Sequence, residues 1–428
     1  SKGNFGKVYS RDMAYAASRY TEVTLDKFAA EIFKDINKNV VDFADNYDGT
    51  MKEPTLLPTT FPNILVSPNQ GIAVGMASNI CSFNLREVCE GTIAYLKDEN
   101  VDVLEIITAP DFSTGGEILY EKDKMNHILS EGRGSFKVRS KYKYDKANSC
   151  IEIYEIPYST SAEIIIDKVV ECVKGGKLKE ISDIRDESDK NGLKITIDVK
   201  RSTNPEQLMA KLFKMTPLED SFGCNFNILT DGYPRVMGVK EIIANWSDFR
   251  IECVKRGLEF DIKEKSDRLH LMEGLKSILL DIDKAISIIR NTEKEEEVVP
   301  NLMEGFGIDE LQAEYVAEIK LRNLNKAYIL KGINEIEKLK SDIAEMRDIL
   351  ESDKKVKKVI IKELEKIASK YGKDRKTTLL DYVDEGESAP EEFVEDYRVR
   401  IFLTRDNYLK KISLASLRVA AAQKLKPE

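Results

Sequence analysis

The chain is poor in histidine, with only His127 and His270 among its 428 residues. That scarcity argues against a histidine-built metal centre or a hydrolytic triad. Its six cysteines, Cys81, Cys89, Cys150, Cys172, Cys224 and Cys253, form no C-x-x-C pair, so zinc and thioredoxin-like chemistry are not suggested. Scattered singly, they read as small buried hydrophobes of a reduced cytosol. No run of about 18 apolar residues exists, so no membrane span is expected. The start, Ser1-Lys2-Gly3, does not read as a signal peptide. No G-x-x-x-x-G-K-[ST] loop appears, so ATP is not expected to bind here. Net positive charge is lacking too: 66 Lys and Arg face 75 Asp and Glu, a balance of −9. Taken alone, this argues against a nucleic-acid ligand, because counterion release needs clustered Lys and Arg.

Distribution matters more than the sum. Acid is concentrated in Glu293-Lys294-Glu295-Glu296-Glu297 and in residues 381–396, which read as solvated loop and linker. Base gathers in Arg133, Lys137, Arg139, Lys141 and Lys143. The last four alternate, so on one strand they share a face, with Val138, Tyr142 and Tyr144 on the other. One-sided positive charge suits a DNA backbone track; a solvated strand face is the equal alternative. Lys2, Lys7 and Arg11 add positive charge upstream of Tyr20.

At 428 residues the chain is too long for one ordinary core, and two to four domains are expected. Residues 1–45 read as the end of a small helical domain. Asp12 is positioned to cap a short helix to Ser18, and a second helix capped by Thr24 would carry Leu25, Phe28, Ala29, Ile32, Phe33 and Ile36. Arg19 to Val23 lies between them and reads as extended. Residues 46–235 mix strands and helices: strand-like runs at 64–66, 150–154 and 193–199, helical runs at 85–96 and 162–173. From 236 to 380, two apolar series keep helical spacing. Ile251, Val254, Leu258, Ile262, Leu269 and Met272 form one; Ile329, Ile333, Ile336, Leu339, Ile343, Met346 and Leu350 form the other. They read as two long helices able to pair antiparallel. Between them a compact helical segment spans about 300–325, with Gly305 and Gly307 as breaks. Residues 381–428 read as an acidic linker followed by strand-like Arg398 to Leu403 and a turn at Asp406-Asn407.

The chemistry centres on Arg19-Tyr20-Thr21-Glu22. A phenol supplies an oxygen nucleophile, and a guanidinium can hold a phosphate while charge builds on it. A free phenol titrates at about 10, so the site must stabilise charge or remove the proton. Exchanging a phosphate ester of a sugar hydroxyl for one of a phenol is nearly energy-neutral, so cutting can be reversed without fuel. Catalysis is then mostly positioning and electrostatics. Asp186, Glu187 and Asp189 are the tempting metal ligands, but a salt-bridged loop is the preferred reading; no metal site is assigned.

Ser1-Lys2-Gly3-Asn4-Phe5-Gly6, Ala16 to Glu22, Val41-Asp42-Phe43, Asn46 to Thr50, Leu57-Pro58, Phe61 to Val66 and Gly71 to Ile80 stand in one order. Gly132-Arg133-Gly134, Glu155 to Tyr158, Arg185 to Asp189 and Ser221-Phe222-Gly223 follow. This order resembles the A subunits of bacterial type IIA topoisomerases, DNA gyrase and topoisomerase IV. The resemblance implies an α+β multidomain chain. It would hold the end of a winged-helix domain bearing the tyrosine (1–45, without that domain's helix-turn-helix) and an α/β tower (46–235). A long antiparallel coiled coil with a helical dimer gate at its tip (236–380) and the start of a C-terminal β domain (381–428) would complete it. It implies Tyr20 as nucleophile with Arg19 beside it, and a reversible 5′-phosphotyrosyl link to double-stranded DNA. It also implies that Ile72 wedges between base pairs; read without it, Gly71 to Gly75 is a buried strand. The implied partners are a second copy of the chain, through the coiled-coil tip, and a B subunit that holds Mg²⁺ and uses ATP, giving A2B2 on the chromosome. The tail 417–424 lacks a glycine- and arginine-rich box, which leans the reading toward topoisomerase IV. The stretch from Gly6 to Tyr20 is longer than the resemblance leads one to expect, leaving Tyr9, Arg11 and Tyr15 without a role. The rivals are a non-catalytic DNA-clamping scaffold, in which Tyr20 packs, and a tyrosine recombinase, which the histidine shortage and the long helices disfavour.

Overall fold

The computed structural model describes residues 2–7, 9–189, 192–230, 232–279, 281–320, 326–381, 399–403 and 409–413. They fall into two units, 1–381 and 382–428. The first is a mixed α/β assembly with two main sheets. The larger sheet has six strands in the order Thr378–Asp381, Glu117–Tyr120, Arg133–Arg139, Glu219–Asn225, Met76–Ile80, Asn69–Ala73. The first pair is parallel and the others antiparallel. Two-residue periodicity sets its buried face: Phe136 and Val138 on one strand, Phe222 and Cys224 on the next. Phe112 lies 5.1 Å from Phe222, and helices Leu85–Lys97 and Lys122–Glu131 supply further core residues. Asn84 caps the first of these by accepting from the Arg86 N–H at 3.0 Å.

The smaller sheet runs Ile181–Asp186, Ile195–Val199, Cys150–Glu155, Lys141–Asp145, all antiparallel. It has a separate core with helices Ala162–Lys174 and Pro205–Met215. Ile195, Thr196, Ile197 and Val199 are all buried, which is why this run lacks clean alternation. Asn204 caps the second helix and Pro205 fills its first turn.

Helix Val239–Leu279 has 41 residues and spans about 60 Å. Helix Lys326–Leu350 runs antiparallel to it, as the ion pairs Lys265–Asp342 at 2.5 Å and Arg268–Glu335 at 3.0 Å require. Ile336 and Ile343 are buried and Ile333, Leu339, Met346 and Leu350 half-buried, a narrow seam for two helices alone. The side chain of Ile329 lies outside the described residues. Short helices Ile282–Asn291, Val298–Phe306 and Glu310–Ala317 gather at the far end around Leu302, Ala313 and Met272. Gly307, at φ +65°, ends the second of them. Gly305 is not a break but lies inside that helix, where a Cβ would meet Ile288 Cδ1 at 2.5 Å. Helix Asp353–Tyr371 then returns to pack Ile360 and Leu364 with Phe61, Cys89 and Trp246.

The N-terminal segment departs from expectation. No helix follows Asp12; Ser10–Tyr15 is a strand paired with Phe5–Lys7. Asn4 clamps it, its Nδ2 donating to the Ala14 carbonyl at 3.2 Å and its own carbonyl accepting from Ala16 N–H at 2.9 Å. Cross-strand bonding outweighs the helix preference of the alanines. The long helix from Leu25 reduces to Ala29–Ile32 and a 3₁₀ turn Ile36–Lys38, with no cap from Thr24. Asp35 and Asn39 take left-handed conformations and interrupt it. Residues 64–66 are helical, in Asn63–Val66, where Leu65 is fully buried. In the second unit Val399–Leu403 pairs antiparallel with Leu409–Ser413. Arg398, the Asp406-Asn407 turn, the acidic stretch 382–396 and the tail 417–424 lie outside the described residues.

Candidate active site and nucleic-acid surface

Tyr20 ends a 3₁₀ turn, Ser18–Tyr20, closed by its own N–H donating to the Ala17 carbonyl at 2.9 Å. The chain is extended from Thr21, so the expectation of an extended segment holds only past the tyrosine. Tyr20 is 66% exposed, which removes the reading in which it packs. The Arg19 guanidinium carbon lies 4.8 Å from its ring centroid, a cation–π contact that keeps the cation beside the phenol. The turn is tied to the chain start: the Lys2 and Glu22 backbones exchange hydrogen bonds of 2.8 and 2.9 Å, and their side chains pair at 3.1 Å.

Gly3 is what permits this approach. It sits at φ +96°, and a Cβ there would lie 2.5 Å from the Tyr20 carbonyl oxygen. Gly3→Ala is expected to displace the Tyr20 turn and speed amide exchange of residues 20–22 on the order of tenfold. Gly3 is exposed and belongs to no core cluster of the described residues, so a thermal melt should stay within about 2 °C of wild type. Amide hydrogen exchange beside the melt checks both. Exposed Lys7 and Arg11 lie on or beside the hairpin leading to Tyr20.

Ile72 lies on Asn69–Ala73, which pairs with Met76–Ile80 around the two-residue turn Val74-Gly75. The buried-strand reading is wrong: Ile72 is 89% exposed, and Val74 is fully exposed. The hairpin is held at its root, where Asn79 Nδ2 donates to the Gly223 carbonyl at 2.6 Å and Asn225 Nδ2 to the Ala77 carbonyl at 2.7 Å. An apolar side chain thus projects from an anchored base.

The basic stripe is not one track. Ser140, fully buried, donates its N–H to the Leu218 carbonyl at 2.7 Å, and the chain there passes from one sheet to the other. Arg133, Lys137 and Arg139 belong to the six-stranded sheet, Lys141 and Lys143 to the four-stranded one. Glu219 pairs with Lys137 at 3.1 Å and Arg139 at 2.5 Å, and Glu155 pairs with Lys141 at 2.9 Å. Arg133 and Lys143 are exposed.

Arg185 bonds Asp183, Glu187 and Asp198, and Lys194 bonds Glu152 and Glu187. Hydrogen bonds to Asp198 and Asp183 hold the Arg185 guanidinium above its ordinary range. Of the motif from Arg185 to Asp189, Arg185 and Glu187 therefore belong to an ion-pair network, while Asp186 Oδ1 accepts from the Ser188 N–H at 2.9 Å and the Asp189 backbone bonds Gly192. Among the described residues, Asp145, Cys150 and Glu152 place ligand atoms within 4.8 Å of one another. Asp145 there already accepts from Ala147, Asn148 N–H and Asn148 Nδ2. All six cysteines are free and buried, and burial pushes the Cys89 thiol up to about 12.

The candidate site thus comprises an exposed phenol under a guanidinium and, on a separate hairpin, an exposed apolar side chain on an anchored base. The family model for the A subunits of DNA gyrase/topoisomerase IV matches residues 1–365. The chain belongs to that family. It is 38% identical to the DNA gyrase A subunit of Clostridium acetobutylicum over 417 residues, 96% of this chain and 50% of the relative. Identity is 35% to that of Leptospira biflexa and 36% to that of Halalkalibacterium halodurans, each across 97% of this chain and 50% of the relative. The chain spans about half the length of these relatives. All three are named gyrase, which gives no support to the lean toward topoisomerase IV. No described helix is long and apolar enough to cross a membrane.

Proposed function

We propose that this chain is the DNA cleavage and religation part of a type II topoisomerase A subunit, with Tyr20 as nucleophile. The observation that carries the reading is the exposed Tyr20 hydroxyl, with Arg19 held over its ring. The phenolic oxygen attacks a DNA phosphorus; an O–P bond forms, and the bond from phosphorus to the 3′ oxygen breaks. The phenol gives up its proton and the departing 3′ oxygen takes one, so the reverse attack restores both. Arg19 neutralises charge growing on the phosphate. Two copies cutting opposite strands would open a gate for a second duplex.

Residues 1–45 would be the end of the winged-helix domain and 46–235 the tower. The paired helices within 236–380 would form a coiled coil whose tip joins two copies, and 381–428 would begin a C-terminal β domain. ATP belongs to the B-type partner in this scheme. So does Mg²⁺, which would supply charge neutralisation at the phosphate; Glu22, the carboxylate nearest Tyr20 in sequence, is engaged by Lys2. The relatives' names favour a gyrase-type role, and the proposal places it in the cytoplasm on chromosomal DNA.

Ile72 would wedge between base pairs, an unstacking that costs a few kcal/mol and is offset by contacts along bent DNA. Ile72→Ala is expected to reduce DNA bending, read by energy transfer between duplex ends, and to lower cleavage about tenfold or more. Unchanged bending would remove Ile72 from the mechanism. The whole reading is tested by mixing the chain with a B-type subunit, Mg²⁺ and supercoiled DNA and quenching with denaturant: covalent protein–DNA adduct supports it, and its absence defeats it.

A further inference from the structure

The hairpin leading to Tyr20 carries an attachment that the catalytic reading does not use. Its turn rests on the N-terminus of helix Ala162–Lys174, in the four-stranded-sheet module. Tyr9 accepts at its carbonyl from the Ala162 N–H at 3.0 Å, and its ring packs on that module's core. Its hydroxyl donates to the Asp189 carbonyl at 3.4 Å. Ser10 donates its hydroxyl to Glu163 Oε1 at 2.5 Å, and the Asp12 N–H donates to the same oxygen at 3.1 Å. The Ser10 hydroxyl in turn accepts from the Met13 N–H at 3.1 Å. Ser10 and Glu163 are both buried, at 7% and 8% exposure. Burial pushes the Glu163 carboxyl up, but hydrogen bonds from the Arg11 and Asp12 backbone and from Ser10 outweigh it and hold it at about 2.

A buried carboxylate is costly unless its bonds are worth it, and here one oxygen gathers them all. Glu163 Oε2 has no hydrogen-bond partner among the described residues, so the group serves the hairpin rather than a wider network of its own helix. From Ser10 the strand runs to Tyr15, and Asn4 grips both Ala14 and Ala16 just before the Tyr20 turn. A hydrogen-bonded ribbon therefore joins Glu163 to the segment bearing the phenol.

We propose that Glu163 is a positioning residue for DNA cleavage, latching the hairpin that carries Tyr20 to the four-stranded-sheet module. The latch also gives Tyr9 and the long Gly6-to-Tyr20 stretch a role. The effect on cleavage rests on the function proposed above; the latch itself does not.

The test compares Glu163→Ala, Glu163→Gln and Ser10→Ala in the full chain with a B-type subunit. Glutamine keeps an acceptor at Oε1 and places its amide where Oε2 now has no partner, so it should restore most of the effect. Amide hydrogen exchange of residues 10–13 is expected to speed up about tenfold in Glu163→Ala, less in Ser10→Ala and least in Glu163→Gln. Adduct formation on pre-bound DNA should slow about tenfold in Glu163→Ala, with Kd for DNA unchanged. Unchanged exchange in Glu163→Ala would overturn the latch, and fast exchange with unchanged cleavage would overturn its positioning role. A lowered Tm with equal losses in the alanine and glutamine variants would mark Glu163 as merely structural. If wild type forms no adduct, the proposed function fails while the exchange measurement still decides the latch.

Discussion

Replacing Tyr20 with phenylalanine is expected to abolish covalent DNA attachment, a loss of at least about 10³-fold. The change removes one oxygen and leaves the ring on which Arg19 lies. Because Tyr20 is largely exposed and its hydroxyl makes no hydrogen bond within the described residues, stability should move by no more than about 0.5 kcal/mol. DNA binding should also persist, since the proposed contacts to DNA lie on residues other than Tyr20. The informative result is therefore a split: a normal melt, normal DNA retention and no adduct after denaturant quenching. Persistent adduct in Tyr20→Phe would transfer the chemistry to another residue.

The second large effect concerns Glu363. Arg250, 3% exposed on the long helix, donates from Nη2 to Glu363 at 2.8 Å and from Nη1 to the Pro58 carbonyl at 3.4 Å. Lys34 also bonds Glu363. The cluster joins helix Val239–Leu279, helix Asp353–Tyr371 and the segment downstream of Tyr20. Burial pushes the Glu363 carboxyl up, but Arg250 and Lys34 outweigh it and hold it below its ordinary range. Glu363→Gln leaves a buried guanidinium without its counter-charge, a destabilisation of about 3–5 kcal/mol. A fall in Tm on the order of 5–10 °C is expected. The pH dependence has a definite sign. A carboxyl with a lowered folded pKa stabilises above its unfolded value, about 4.3, and loses that contribution as pH falls through the folded value. The gap between wild type and Glu363→Gln should therefore be full at pH 7 and shrink below about pH 4. A gap that is independent of pH would show that packing, not charge, holds this junction.

What was legible in the sequence follows from how each element is stabilised. The two long helices announce themselves because a two-helix seam buries one narrow stripe, leaving Ile333, Ile336, Ile343 and Met346 at helical spacing among charges. Helices Leu85–Lys97 and Ala162–Lys174 were legible for the same reason. The hairpin Ser10–Tyr15 was not, because its conformation comes from pairing with Phe5–Lys7 and from Asn4 rather than from its own residues. Residues 64–66 misled because a three-residue apolar run between prolines carries no period to read. The exposure of Tyr20 follows from its place between elements. The alternating bases misled at Ser140, where the strand changes sheets. Their partners Glu219 and Glu155 lie too far along the chain for spacing to reveal. Glu163 gave no signal either, since an acid in the first turn of a helix ordinarily reads as a response to the helix dipole.

Exposure does not single out the nucleophile, since Tyr15 and Tyr47 are more exposed than Tyr20. The most direct measurement is therefore mapping of the linked residue. Adduct trapped in the presence of Mg²⁺ and a B-type subunit is digested with nuclease and protease, and the peptide bearing residual nucleotide is sequenced by mass spectrometry. Of the 17 tyrosines in the chain, Tyr20 alone is expected to carry the phosphate. A nucleotide on any other tyrosine, with Tyr20 unmodified, would contradict the account.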